Sequence, residues 1–219
     1  MGGLINPSIL NKNSFYRKQF LNSKPFRHLM IQNFFNSSLT QRLRSSLEKE
    51  SLEIRRSQHI SNQFLDLFRL DNLLVKNWII AFYEEMIPWI ENITQVQLAR
   101  LHTALRFYVY RKSDYLGLHT DNVFQRAVAF VINLSNFKAN EGGRLLLMKK
   151  NRMGKLQISK RLPQIFNSIV LFEINSRSLH QLEEIKTERR RLTISGWLYK
   201  REYDYQFVRH LKHLAQKKN

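Results

Sequence analysis

The 219-residue chain contains no cysteine. Disulfide frameworks and thiolate metal sites are thereby excluded, and the composition suits a reducing, cytoplasmic setting. Acidic residues are scarce: 17 Asp and Glu stand against 36 Lys and Arg, a formal charge of +19. No apolar run is long enough to cross a bilayer, so no membrane association is expected. Met1-Gly2-Gly3-Leu4-Ile5-Asn6-Pro7 lacks the apolar stretch of a secretory signal. Gly2 does not make it an acylation signal, because Asn6 stands where Ser or Thr is required. Zinc-finger spacings, RNA-binding aromatic signatures and internal repeats are also missing. What is present is a globular composition, 43% hydrophobic and 12% aromatic, sufficient for the core of one domain.

Three residues carry the chemistry. His119 and Asp121 stand in Leu116-Gly117-Leu118-His119-Thr120-Asp121-Asn122. A strand repeats its facing every second residue, so the two side chains can point the same way. His180, in Ser176-Arg177-Ser178-Leu179-His180-Gln181, can complete the set from a distance. Two imidazoles and one carboxylate on one face, with the opposite face open, suit a non-haem ferrous ion that activates oxygen. A His-x-Asp pair alone is common on surfaces, and the segment after His180 changes the balance. Arg191-Leu192-Thr193-Ile194-Ser195-Gly196-Trp197 alternates as a half-buried strand does, with Arg191, Thr193 and Ser195 on one face. A guanidinium on an inward face is costly unless it meets an anion. Its fork binds a carboxylate bidentately, which suits a dicarboxylate co-substrate.

These segments resemble the Fe(II)/2-oxoglutarate dioxygenases, in the prolyl-hydroxylase branch that includes the ribosomal prolyl hydroxylases of yeast and animals. The resemblance is carried by Tyr110-Arg111-Lys112-Ser113-Asp114-Tyr115 ahead of His119, by Gly142-Gly143-Arg144-Leu145 and by Phe166-Asn167 before Ser168-Ile169-Val170-Leu171-Phe172-Glu173. It closes with Ser178-Leu179-His180-Gln181 and the Arg191 to Trp197 run, and extends more weakly to Pro25-Phe26-Arg27-His28, Asn33-Phe34-Phe35 and Ser61 to Leu67. Two departures touch the pocket wall. Asn133-Leu134-Ser135 replaces Tyr-Leu-Asn, and Asn140-Glu141 replaces the Trp that precedes Gly-Gly-x-Leu. Both weaken the inference to a ribosomal proline and leave the iron and co-substrate set intact.

The resemblance implies a mainly β fold, a double-stranded β-helix of the jelly-roll or cupin kind, packed by N-terminal helices. It implies that His119, Asp121 and His180 hold Fe(II) as the catalytic centre. It further implies that 2-oxoglutarate chelates the iron, pairs its far carboxylate with Arg191 and meets Tyr110, with Thr193 and Ser195 lining the same pocket. Oxygen is the second co-substrate, and ascorbate is a candidate auxiliary. Substrate contacts are expected from the segments flanking the metal strand and the changed wall, at Tyr115, Asn122, Arg126 and Asn133. Arg189 and Arg190 compete with Arg191 for the anchor, and strand phase favours Arg191.

The chain divides into a basic, flexible leader (1–24), one oxygenase domain (25–200) and a basic C-terminal helix or tail (201–219). Within the domain, helical support is expected over about 36–95 and the β core over about 101–200. Pro25 to Phe35 reads as a strand and turn. Ser38-Leu39-Thr40-Gln41 has the form of a capping box, opening a helix to about Glu53. Asn62 to Leu70 reads as a packing helix, and Leu74 to Ile93 as another that Pro88 kinks or restarts. Strands are expected at Thr103 to Tyr110, Arg126 to Leu134, Gly143 to Lys149, Ser168 to Glu173 and Leu192 to Tyr199, with a basic hairpin near Asn151 to Lys155. Val128, Phe130 and Ile132 opposite Ala127, Ala129 and Val131 mark a strand buried on both faces. His210 and His213 have helical metal-ligand spacing, but a solvated tail is the simpler reading. The second, degenerate barrel of eukaryotic relatives is not expected within this length.

The expected activity is therefore hydroxylation of a C–H bond, foremost in a prolyl residue of a protein, with release of succinate and CO2. The +19 charge steers polyanions and fits a ribosomal or RNA-associated protein partner, with direct nucleic-acid contact through the basic surface. Two alternatives stand beside it: an oxygenase acting on a free amino acid or other small molecule, and a non-catalytic module that docks on RNA or a ribosome. The intact triad and Arg191 argue against the last.

Overall fold

The computed structural model describes residues 3–206 together with 208 and 209. Twelve antiparallel strands follow in chain order: β1 (His28–Gln32), β2 (Glu53–Ser57), β3 (Ile60–Asp66), β4 (Leu98–Thr103), β5 (Arg106–Tyr110), β6 (Tyr115–His119), β7 (Arg126–Asn133), β8 (Leu145–Lys150), β9 (Leu156–Leu162), β10 (Ser168–Glu173), β11 (His180–Leu182) and β12 (Arg191–Lys200). The helices are α1 (Pro7–Leu10), α2 (Asn13–Asn22), α3 (Ser37–Leu47), α4 (Leu73–Ala81) and α5 (Ile87–Thr94).

The strands run in the order β1-β10-β7-β12-β5-β3-β6-β11-β8-β9, with β2 added to β3 and β4 to β12. The path turns at β3. Gln63 to Asp66 pair with β5, whereas Ile60 and Ser61 pair with β6. One strand thus joins a large half to a small half, and the halves close on each other. Their inner faces meet in a cluster of Ala129, Leu145, Leu147, Leu162, Val170 and Phe172.

In the large half, β7 and β10 are apolar on both faces, as the Arg126 to Leu134 run requires. Phe130, Ile132, Phe107, Leu171 and Ile194 point outward to the helices, against Trp78, Phe82, Met86, Ile90 and Ile93. Phe82 and Phe130 pack at a tilt with ring centroids 5.2 Å apart. Each such side chain contributes roughly 1.5–3 kcal/mol on burial. Strand alternation then leaves Arg106, Tyr108, Tyr110, Arg191, Thr193, Ser195 and Trp197 facing the interior. Gly196 lies between two of these at a close approach. A Cβ there would stand 1.6 Å from the Ala104 carbonyl oxygen, so any side chain would push β12 off the β4–β5 corner.

Several expectations change. Residues 3–24 are not a flexible leader: residues 7–10 and 13–22 are helical, and Leu4, Ile5, Ile9 and Phe20 are buried in the helical layer. The Glu85 carboxylate accepts from the Leu4 amide at 2.8 Å, which ties this segment down. The helix after residue 36 is capped by Asn36, whose side chain accepts from the Leu39 amide, and it stops at Leu47. Its predicted continuation, residues 48–52, is instead a turn leading into β2. Residues 60–66 form a strand, not a helix, because Ile60 pairs with β6, Asn62 with β2 and Leu65 with β5. The 73–94 stretch is broken as Pro88 demands: a π-helical segment, Phe82–Met86, precedes α5, and Pro88 sits in its first turn. Strand β9 follows the basic hairpin; its exposed Gln157, Lys160 and Arg161 hide it from a hydrophobic reading. Residues 202–206 are helical, and His210 and His213 lie outside the described residues.

Candidate active site

The triad assembles where β6 and β11 pair. His119 ends β6, His180 opens β11, and the two are register partners. Asp121 follows two residues after His119 and is 8% exposed. Its Oδ1 lies 3.6 Å from His119 Nε2 and its Oδ2 3.5 Å from His180 Nε2. All three donor atoms fall within 4.8 Å of one another. Each Nδ1 is held by a backbone carbonyl two residues earlier, Gly117 for His119 at 2.8 Å and Ser178 for His180 at 2.9 Å. That contact fixes the tautomer with Nδ1 protonated, leaving both Nε2 lone pairs aimed at the carboxylate. One ion with ligand bonds of roughly 2.1 Å spans these separations after small ring adjustments. The donor set, two neutral imidazoles and a carboxylate, fits ferrous iron.

Electrostatics favours a neutral His180 and an ionised Asp121, and without metal it draws His119 toward the protonated form. Burial pulls the His180 pKa down to about 4, with the His119 ring acting in the same direction against Asp121 and the Ser178 carbonyl. Burial also works against a charge on His119, but Asp121 and the Gly117 carbonyl outweigh it and raise that pKa. Burial opposes ionisation of Asp121, yet the two imidazoles and the Trp197 indole overcome it and hold the carboxyl below its ordinary range.

Above the triad opens a cavity of about 720 Å³. Arg191 is 4% exposed and donates from Nε to the Gly143 carbonyl at 3.0 Å. Burial lowers its pKa to about 10, so it remains a cation at neutral pH. Among the described residues no carboxylate pairs with it. Tyr110 packs beside it, the guanidinium carbon 5.4 Å from the ring centre. Burial pushes the Tyr110 hydroxyl up to about 12, opposed by Arg191, so the phenol stays protonated. Its oxygen accepts from Asn62 Nδ2 at 3.1 Å. A cation and an O–H donor therefore converge with no acceptor between them, the arrangement that holds a carboxylate. Gly143 makes room: its φ is +70°, and a Cβ would sit 3.3 Å from Arg191 Cδ and 3.0 Å from Ile185 Cδ1. Thr193 and Ser195 line the same wall.

Residues 105–199 match the 2OG-Fe(II) oxygenase superfamily. The chain is similar to that superfamily over this segment, which carries the triad strand and β12. Its relatives include prolyl 3-hydroxylase OGFOD1 of Xenopus laevis, 29% identical over 82% of this chain and 36% of that protein. Prolyl 3-hydroxylase sudestada1 of Drosophila melanogaster is 25% identical over 81% of this chain and 35% of that protein. The chain thus spans about a third of the length of the curated relatives it matches. In fold it is similar to a prolyl-4-hydroxylase of Pseudomonas putida, with a TM-score of 0.66, 16% identity and coverage of 85% of this chain and 99% of the other. A prolyl hydroxylase of Trichoplax adhaerens, solved with a hypoxia inducible factor peptide, gives a TM-score of 0.70 at 14% identity, covering 92% and 96%. The double-stranded β-helix expected from sequence is the fold observed. Oxygenases of this superfamily use Fe(II), 2-oxoglutarate and O2, and the His119–Asp121–His180 cluster fits the iron.

Of the residues expected to contact substrate, Arg126 lines the cavity. The other three do not. Tyr115 turns its hydroxyl to the carbonyls of Ser57 and Gln58, at 3.3 and 3.2 Å, and secures the β2–β3 turn. Asn122 is exposed outside the lining. Asn133 is buried deeper in the sheet, where Nδ2 donates to Ser168 Oγ at 2.8 Å. Residues that sequence reasoning passed over take their place: Asn62 behind Tyr110, and Arg106 and Trp197 on the inward faces of β5 and β12. The strand-phase argument that singles out Arg191 applies equally to Arg106, which shares a face with Tyr108 and Tyr110.

Proposed function

We propose that the protein is an Fe(II)- and 2-oxoglutarate-dependent dioxygenase that hydroxylates a prolyl residue of a protein, releasing succinate and CO2. The observation that carries this reading is the meeting of two sites in one cavity: the His119–Asp121–His180 cluster and the acceptor-free pair Arg191 and Tyr110. Iron bound at the cluster supplies the oxygen activation. The chain's own residues do the rest. His119, Asp121 and His180 occupy one face and leave the side toward the cavity open. Arg191 and Tyr110 hold the far carboxylate of 2-oxoglutarate, and Thr193 and Ser195 flank its stem. The apolar wall of Ala129, Val131 and Phe172 limits water around the reacting centre.

The prolyl assignment is supported by relatives that are prolyl 3-hydroxylases and by the motif resemblance over the Tyr110 to Trp197 segment. The +19 charge favours a ribosomal or RNA-associated protein as the target, in a cytoplasmic setting, with ascorbate as an auxiliary reductant. Among the described residues no helix is long and apolar enough to cross a membrane.

The test is an anaerobic titration of the protein with Fe(II) and 2-oxoglutarate, followed by the visible charge-transfer band of the chelate. The band is expected in wild type and absent in His180→Ala. No band in folded wild type would remove the oxygenase reading. Prolyl peptides from basic ribosomal proteins, assayed for a mass gain of one oxygen, then address the target.

A further inference from the structure

Holding iron and 2-oxoglutarate leaves three cations in the cavity without a role. Arg55, Arg106 and Arg126 all line it, from β2, β5 and β7. The sole carboxylate in the same lining is Asp121, already a member of the triad. Among the described residues Arg106 makes no ion pair; its register partner Asp66 turns its Oδ1 to the Phe68 amide. Its guanidinium lies 5.5 Å from the Phe64 ring and 5.9 Å from the Trp197 ring. Arg126 lies 3.7 Å over the same indole and comes no nearer to Asp121 than 4.0 Å. The Nε of each arginine is buried without an acceptor.

Two guanidiniums gathered on one indole repel each other, and each leaves a buried N–H unsatisfied. An anion with two acceptor oxygens relieves both conditions at once, because the planar fork of arginine matches a carboxylate. We propose that Arg106 and Arg126, held against Trp197, form a substrate-carboxylate subsite, so that the C–H bond to be oxidised lies next to an acidic group. The proposal rests on the oxygenase reading above and adds the substrate class. Arg126 reaches to 4.0 Å from the triad carboxylate of Asp121, so the anion would stand within one residue of the reacting carbon. The carboxylate has two sources: an acidic side chain beside the target residue of a peptide, or the α-carboxylate of a free amino acid.

The experiment is calorimetry on protein loaded with Mn(II) and 2-oxoglutarate without oxygen, so that binding is read without turnover. The peptide arm compares prolyl peptides with Glu or Gln next to proline, and a third with that Glu moved six residues away. The amino-acid arm compares L-proline with L-prolinamide. In one arm, the carboxylate beside the target should bind about tenfold or more tighter than its neutral counterpart. Arg106→Met should erase that preference, and Arg106→Glu should transfer it to a Lys-bearing peptide. Equal binding of charged and neutral ligands in both arms overturns the subsite. So does a Glu preference independent of position, which the overall charge alone would give. If the variants do not fold, the wild-type comparisons decide by themselves. Failure to take up Mn(II) and 2-oxoglutarate would instead remove the oxygenase reading.

Discussion

The Tyr110 oxygen lies 3.1 Å from the side-chain nitrogen of Asn62, and that contact decides where the phenol can donate. Asn62 fills a lone pair of the oxygen, so the hydroxyl proton is free for the carboxylate at Arg191. Tyr110→Phe is expected to weaken 2-oxoglutarate binding about tenfold, the loss of one hydrogen bond to a charged group. Asn62→Ala should weaken it in the same direction. The double variant should fall short of the sum, because the two act as one unit. Titration with 2-oxoglutarate across the four proteins measures this, and strict additivity would separate Asn62 from the site.

Among the described residues, the buried cation Arg191 has one backbone acceptor and no carboxylate partner. Its removal should divide binding from stability. Arg191→Met is expected to lower 2-oxoglutarate affinity by about a hundredfold, in line with the loss of a bidentate charged pair. The melting temperature without 2-oxoglutarate should hold or rise, since an apolar isostere removes a desolvated charge. Wild-type affinity in the variant would take Arg191 out of the co-substrate site.

Gly143 supplies the acceptor for Arg191 and adopts a φ of +70°. Gly143→Ala places a methyl against Ile185, Phe137 and Arg191 in a backbone region that side chains disfavour. A stability loss of about 1–3 kcal/mol is expected, together with a higher 2-oxoglutarate requirement. Denaturant unfolding and the same titration check both. A variant that lost stability and kept its affinity would mean that Arg191 tolerates displacement.

The metal-free protein should weaken in mild acid. His180 is neutral in the folded state down to about 4, whereas an unfolded histidine titrates near 6.5. As pH falls from about 6.5 to about 4, the unfolded chain takes up a proton that the folded one refuses, so stability present above this window is lost within it. The loss is on the order of 3 kcal/mol; the raised His119 pKa has the opposite sign and acts above this window, where stability falls as pH rises. The lowered Asp121 pKa acts below this window. Melting temperatures of wild type and His180→Leu across pH 4–7 test this; the variant should show the shallower acid slope, and parallel slopes would refute it.

The site was legible in sequence where chemistry depends on spacing within one strand. His119 and Asp121, and Arg191 with Thr193 and Ser195, follow from two-residue alternation. His180 was placed by motif order, since pairing of β6 with β11 is a long-range event. The 60–66 strand was misread because Phe64, Leu65, Leu67 and Phe68 crowd together at helix-like spacing, and only pairing with β5 and β6 resolves them. The N-terminal segment was misread for a related reason. Its apolar residues, Leu4, Ile5, Ile9 and Phe20, are sparse among polar ones and find their partners in helices far along the chain. Asn133 showed as a changed motif residue, but its side chain answers to Ser168, which no local pattern reveals.

Strand β11 is three residues long, and His180 pairs with His119 on one side and Leu147 on the other. The small half of the barrel is therefore stitched across its middle by the same side chains that take the metal. A bound ion acts there as a rivet between segments 61 residues apart in sequence. Amide exchange along β6 and β11 should slow sharply when metal is added, while β7, β10 and β12, wedged under the helices, should exchange at the same rate with or without it.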